Sequence, residues 1–208
     1  MKGRLISIEG GEGAGKSSVM GALRAGLERR GIEVVQTREP GGTEAGEAIR
    51  ALLLDPSRAL SAETELLLMF ASRAQLVREL IVPALARGAW VICDRFSDAS
   101  FAYQGGGRGL DGGTIAELER WAAGIKPDLT FLLDVDVRQG HARIAGRDGE
   151  RDRIERERED FFERVRATYL QRAAQEPQRF RIIDAGQPSD AVLGDVLARL
   201  DAVLAAWE

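Results

Sequence analysis

Residues 5–18 read LISIEGGEGAGKSS: a short apolar run, a glycine-rich stretch, and the start of a helical pattern. Gly10, four intervening residues, then Gly15, Lys16 and Ser17 give the spacing of a phosphate-binding loop. A polyphosphate must exchange its hydration for fixed donors, and a glycine loop running into a helix N-terminus offers backbone N–H groups and the positive end of the helix dipole. Gly10, Gly13 and Gly15 let the main chain approach the phosphates, with Gly11, Glu12 and Ala14 completing the loop. Lys16 is placed to reach the outer phosphates of ATP, and the Ser17 hydroxyl to ligate Mg2+. A flexible loop capping a helix would explain the glycines, but not Lys16 and Ser17.

Such a site needs a second acid at the tip of a neighbouring strand to hold the metal's waters. The run WVICDR supplies Asp94; the rival, Asp134 in TFLLDVD, lies on a later strand. Asp94 is the better choice because Arg95 accompanies it, and an arginine beside the phosphates neutralises charge developing on a transferring phosphoryl group. No Asn-Lys-x-Asp guanine motif of a GTPase occurs, and Arg95 stands where a mechanical ATPase would carry an acidic base. The remaining class is a small-molecule kinase with a closing, arginine-bearing flap.

Strand-like runs at 5–9, 33–37, 90–93, 129–133 and 180–183 alternate with helix-length segments. That order predicts an α/β fold with parallel strands and helices on both faces. A chain of 208 residues, 44% hydrophobic, suits one domain with one sizeable core. The first helix is expected to stop near Gly31, the helical sequence 61–87 to break near Val82 ahead of Pro83, and the last helix to cover 190–207. The segment GRDGERDRIERERED (146–160) reads as a solvated helix face with i,i+4 ion pairs, its glycines also suiting a mobile flap. Twenty-nine basic against 33 acidic residues leave a net charge of −4, which argues against nucleic acid or an anionic membrane as partner. No apolar run approaches the roughly 20 residues of a membrane span, so a cytoplasmic, soluble protein is expected. Cys93, the single cysteine, reads as a buried structural thiol, and His141, the single histidine, as helix-surface polarity.

The segments IEGGEGAGKSS, TREPGGTEAGEAIRALLL, MFASRAQL, VICDRFSDASFAYQGGGRGL, PDLTFLLDV and RDRIERE occur in the order and spacing of bacterial thymidylate kinase, and from about residue 4 to 184 the chain resembles that family. The resemblance implies a phosphate-loop NTPase fold of three layers on a five-stranded parallel sheet. It implies transfer of the ATP γ-phosphoryl to dTMP with Mg2+, a mobile lid at about 143–159, and a homodimer.

It also implies roles for matching residues. Glu12 would bond the 3′-hydroxyl of the acceptor; Arg38, Glu39, Arg50 and Arg95 would surround its phosphate; Arg73 would read the thymine carbonyl edge. Ser100, Tyr103 and Gln104 would line base and sugar, the Tyr103 ring filling the place of a ribose 2′-hydroxyl. For the aromatic on thymine, the matching position is Met69, with Phe70 beside it; Phe70 is the expected stacking residue. Since Ala14 leaves the loop without an arginine, the lid must supply the cation. Arg147 aligns best with that role, Arg151 and Arg153 are alternatives, and Arg143 would lie along the adenine. Two rivals remain: a phosphate-loop kinase of another acceptor, and a nucleotide-dependent switch or binding module. Arg147→Ala is expected to lower turnover roughly 100- to 1,000-fold with little change in dTMP affinity, by analogy with removing one fixed donor to a transition-state oxygen. Unchanged single-turnover rates in that variant would transfer the role to Arg151 or Arg153.

Overall fold

The computed structural model describes residues 2–145 and 152–207. Strands β1 (Leu5–Gly10), β2 (Val34–Arg38), β3 (Trp90–Asp94), β4 (Leu129–Asp134) and β5 (Phe180–Asp184) form one parallel sheet in the order β2-β3-β1-β4-β5. The helices are α1 (Lys16–Glu28), α2 (Glu44–Leu54), α3 (Ala62–Leu76), α4 (Val82–Ala86), α5 (Ser97–Ser100), α6 (Gly112–Leu118), α7 (Val137–Ile144), α8 (Glu159–Gln175) and α9 (Ser189–Trp207). The expected five strands and both helix layers are present.

Side chains alternate across each strand, so a strand buried on both faces must be apolar at successive positions. Ile6, Ile8, Phe131, Leu133 and Ile183 pack on α1 and α9 through Val19, Leu23, Leu27, Val196 and Leu200. On the opposite face Leu5, Val91 and Cys93 meet Leu76, Val77, Ile81 and Phe96. There also Leu132 and Phe180 meet Phe161, Phe162, Val165 and Tyr169. Each such side chain contributes about 1.5–3 kcal/mol on burial, so the strand runs hold the sheet from both sides. Burial pushes the Cys93 thiol well above its usual range, as befits a packing residue.

Helix starts follow capping chemistry: Thr43 Oγ1 accepts from Gly46 N at 3.0 Å, and Ser61 Oγ from Thr64 N at 3.2 Å. Gly31, at φ 74°, closes the loop after α1 as expected. The break in the long helical sequence comes earlier than Val82. Helix α3 ends at Leu76 and the hydrogen bonding widens into a π-type turn, Val77–Ile81, before α4. Pro83 has no N–H and its ring would crowd the Glu79 carbonyl, so the readjustment falls on the turn preceding it. Similar turns occupy Phe101–Gly107 and Glu119–Ala123. The helix expected through 146–160 is not seen where that segment is described: residues 153–156 form turns, and α8 begins at Glu159.

Beneath the loop, two odd positions of β1, Ser7 and Glu9, carry polar groups into the core. Ser7 Oγ pairs with Thr130 Oγ1 at 2.8 Å; Glu9 accepts from Phe96 N at 2.7 Å and from the Tyr169 hydroxyl at 2.8 Å. Asp98, also buried, is held by Arg179 at 2.6 Å and Arg172 at 2.7 Å. Burial and then the Asp98 charge raise the Glu9 carboxyl from 4.5 to about 8, against the opposing pull of Arg95 and the two hydrogen bonds. Between those values the native state keeps a proton that the unfolded chain has released. The stability contributed by protonated Glu9 is therefore complete below about pH 4.5 and is lost as pH rises through about 8. Urea unfolding at a series of pH values is expected to show stability falling less over this window in Glu9→Gln than in the parent protein; equal slopes would assign the effect elsewhere.

Candidate active site

Residues after the carboxyl ends of all five strands converge on one edge of the sheet. Successive crossovers leave β1 between β3 and β4, and the glycine loop springs from this switch point, where open α/β sheets bind ligands. A cleft of about 360 Å³ is lined by Glu12–Ser18, Arg38, Glu39, Pro40, Arg50, Leu54, Met69, Asp94, Arg95, Ala99, Tyr103, Gln104, Asp152, Ile154 and Glu155. A second hollow of about 270 Å³ continues past Gly13–Gly15 to Arg143, Gln187, Pro188 and Val192.

The loop is seated by close main-chain contact. Gly13 (φ 69°) has no room for a Cβ, which would collide with the Gly140 carbonyl of α7; a Cβ on Gly140 would meet the Glu12 carbonyl. Gly15 (φ 89°) turns the chain into α1. Lys16 Nζ folds back onto the Gly11 carbonyl at 2.9 Å and the Gly10 carbonyl at 3.3 Å. Burial, then the charge of Arg95, hold its ammonium below the usual lysine range. Ser17, at the start of α1, is exposed to the cleft.

Arg95 has left-handed backbone geometry, φ 67°, which is uncommon outside glycine. Its N–H bonds to the Ile8 carbonyl at 2.9 Å; its guanidinium donates to the Gly10 carbonyl at 3.0 Å, the Glu12 carboxylate at 2.6 Å and the Tyr169 hydroxyl at 3.3 Å. It also stacks over Tyr103, 4.7 Å from the ring centroid, and the Tyr103 hydroxyl donates to Glu12 at 3.1 Å. Glu12, Arg95 and Tyr103 thus form one unit at the cleft floor. Burial opposes the Arg95 charge, but the surrounding Tyr103, Glu12, Tyr169 and Asp94 more than offset it and raise its pKa.

The two candidate acids have different surroundings. Asp134 is occupied by Arg166 at 2.7 and 3.0 Å. Asp94 lines the cleft with Oδ1 buried and without a hydrogen-bond partner among the described residues. At the rim, Arg38 donates to Glu47 at 2.8 Å and Arg50 to the Pro40 carbonyl at 2.9 Å.

At the base end the geometry departs from several expectations. Arg73 and Ser100 are fully buried and stand behind the lining. Arg73 donates twice to Glu39 Oε2 (2.8 and 2.6 Å), to Ser100 Oγ at 3.0 Å and to the Phe96 carbonyl at 3.1 Å, which commits four of its five N–H groups. Glu39 pairs with this arginine at the back of the cleft; burial raises its pKa and its Oε1 has no partner among the described residues. Phe70 does not line the cleft. It packs with Leu66, Ile115 and Ala122 and lies under the Arg73 guanidinium at 4.5 Å, while Met69 takes the lining position. One residue along a helix is a rotation of about 100°, and it is the orientation of α3 that presents Met69.

Gln104 lines the cleft with its amide nitrogen bonded to Glu65 at 2.8 Å and its Oε1 unpartnered among the described residues. Glu65 is buried. Burial works against its charge, but bonds from Gln104 and Arg108 and the Arg153 pair more than offset this and keep its pKa below the usual value. Arg153 is engaged away from the glycine loop: its Nη2 pairs with Glu65 at 2.7 Å and its Nε donates to the Leu53 carbonyl at 2.8 Å. Arg147 and Arg151 lie outside the described residues. Arg143 bridges the Ala185 carbonyl at 2.7 Å and the Gly13 carbonyl at 3.4 Å beside the second hollow. His141, expected as helix-surface polarity, is half-buried and meets Phe162 edge-on at 4.7 Å.

Sequence reasoning missed Glu65 and Arg108, as well as the 187–192 wall of the second hollow; the Asp152–Glu155 turn falls within the segment expected as a lid. Glu9 carried a readable signal, a charged residue inside an apolar strand.

The family model for thymidylate kinase matches residues 8–196. The thymidylate kinase of Chromohalobacter salexigens is 57% identical over 208 residues, covering 99% of this chain and 98% of that protein. The thymidylate kinase of Alcanivorax borkumensis is 54% identical over 209 residues, covering all of both. Among solved structures, thymidylate kinase from Ehrlichia chaffeensis superposes with a TM-score of 0.80 at 32% identity, over 98% of this chain and 100% of that one. The loop at the switch point, the Asp94–Arg95 pair and this likeness along the whole chain agree: the chain belongs to the thymidylate kinase family.

Proposed function

We propose that the protein transfers the γ-phosphoryl group of ATP to dTMP, giving ADP and dTDP. The observation that carries the reading is the cleft itself, cationic at the loop end and lined by Met69, Tyr103 and Gln104 at the other. Gln104 Oε1 offers an acceptor, and Arg73, just behind, keeps one uncommitted Nη1–H. An acceptor beside a donor complements the N3–H and carbonyl of a thymine edge and mismatches cytosine, whose ring nitrogen accepts and whose amino group donates.

The attacking atom is an anionic phosphate oxygen, so no strong base is required; catalysis is positioning and charge neutralisation. Lys16 and the loop N–H groups bind the donor phosphates, Arg38, Arg50 and Arg95 the acceptor phosphate, and Arg147 supplies the lid's cation. Glu12, bonded to Arg95 and Tyr103, is placed to take the acceptor's 3′-hydroxyl and so ties the sugar to the loop. The adenine lies in the second hollow along Arg143. Ser17 and the orphaned Asp94 Oδ1 are an oxygen set that fits Mg2+, and the described residues hold no cluster of three or more His, Cys, Asp or Glu able to cage a metal. That agrees with an ion shared among one hydroxyl, phosphates and waters. When bound, Mg2+ supplies charge neutralisation at the transferring group.

The protein acts as a homodimer in this reading, supported by Leu67 (58% exposed) on α3 and Trp121 (75%) on the turn that packs against α3. It works in the cytoplasm; among the described residues no helix is long and apolar enough to cross a membrane.

ADP release with MgATP and a panel of dTMP, dUMP, ribosyl-TMP, dCMP, AMP and thymidine tests the assignment: dTMP is expected to stand well above all others, and inert monophosphates with intact ATP binding would overturn it. Asp94→Asn is expected to raise the Mg2+ concentration for half-maximal turnover by about 10- to 100-fold, as for loss of a carboxylate that orients a metal's shell, read from a Mg2+ titration.

A further inference from the structure

Four charged side chains meet behind the base end of the cleft: Glu65 from the first turn of α3, Arg108 following the π-type turn, and Arg153 and Glu157 from the segment before α8. Arg108 holds Glu65 at 3.0 Å and also pairs with Glu157. Arg153 adds its pair to Glu65 at 2.7 Å, its Nε bond to Leu53 and a main-chain N–H to the Leu54 carbonyl at 3.2 Å. Two carboxylates and two guanidiniums balance, which is what permits a carboxylate as buried as Glu65.

Glu65 also faces the cleft indirectly. An ionised carboxylate only accepts hydrogen bonds, so the Gln104 amide must turn its nitrogen toward Glu65, which leaves its carbonyl, buried and without a partner among the described residues, as the acceptor for the proposed base. The other Glu65 oxygen takes Arg153, whose neighbours Asp152, Ile154 and Glu155 line the same cleft.

We propose that Glu65 is a positioning residue that joins base selection to the seating of the 152–158 segment: one carboxylate fixes the orientation of the base-reading amide and anchors the segment that covers the cleft beside it. The inference rests on the dTMP reading and deepens it. Without a carboxylate at 65 the Gln104 amide has no fixed sense, and the site loses its discrimination between an imide and an aminopyrimidine. Without Glu65 there is also no shared group through which Gln104 and Arg153 influence each other.

The test measures kcat/KM for dTMP and dCMP with MgATP in the parent protein, Glu65→Gln, Gln104→Ala, Arg153→Gln and their combinations. Glu65→Gln is expected to reduce the preference for dTMP over dCMP about tenfold, the effect of leaving a buried polar group wrongly paired. Gln104→Ala and Arg153→Gln are expected to be non-additive by about threefold or more while Glu65 is present, and additive when combined with Glu65→Gln. A purely structural role lowers the amount of folded enzyme, which neither the preference nor the coupling registers. An undiminished preference in Glu65→Gln overturns the proposal, and so does additivity of the other two substitutions in the parent protein. The second criterion stands alone should Glu65→Gln not fold. Parent protein inert toward dTMP would overturn the dTMP reading and this inference together, whereas normal dTMP turnover with an additive cycle would overturn this inference alone.

Discussion

The guanidinium of Arg95, held between the Gly10 carbonyl and the Glu12 carboxylate, is the interaction on which the rest of the site depends. It ties the tip of β3 to the loop after β1, two neighbouring strands in register at Ile8 and Asp94. Phosphate binding requires several cations at one place, and in the absence of phosphate they repel. Here the protein's own acceptors hold them: loop carbonyls take Lys16, Glu12 takes Arg95, Glu47 takes Arg38. An anionic ligand then replaces acceptors already aimed at the right point, with little rearrangement of the charges.

A second layer supports the first. Glu9 bonds the amide of Phe96, the residue after Arg95, and through Tyr169 reaches the guanidinium itself. The left-handed conformation of Arg95 is therefore fixed at the main chain on one side and at the side chain on the other. Polar residues on the odd positions of β1 make sense in this light: Ser7 and Glu9 occupy what would otherwise be apolar core, and each is satisfied.

The frame was legible because its determinants are local. Strand runs, helix stops and the glycine spacing all act over a few residues, and the strands fall within a residue of their expected bounds. The Asp94–Arg95 pair was readable for the same reason, being a strand end with a charge on it. What escaped depends on distant partners. Whether Met69 or Phe70 faces the cleft turns on the rotation of α3, set by its packing on Ile115 and Ala122. That Arg73 is sealed behind Glu39, and that Arg153 serves a carboxylate, are facts of pairs 34 and 88 residues apart. An arginine-rich run resembles a solvated helix until the buried acid that one of its members serves is known.

The glycine pair at 13 and 140 has a mechanical meaning. With no side chain between them, the loop that would grip ATP and helix α7 meet main chain to main chain at one close-packed corner. A swing of the lid proposed at about 143–159 would then hinge beyond that contact, toward the end of α7 at Ile144. For engineering, a lid borrowed from a relative should be joined past α7; a junction placed inside that helix would have to bring the matching loop with it, as one interchangeable part.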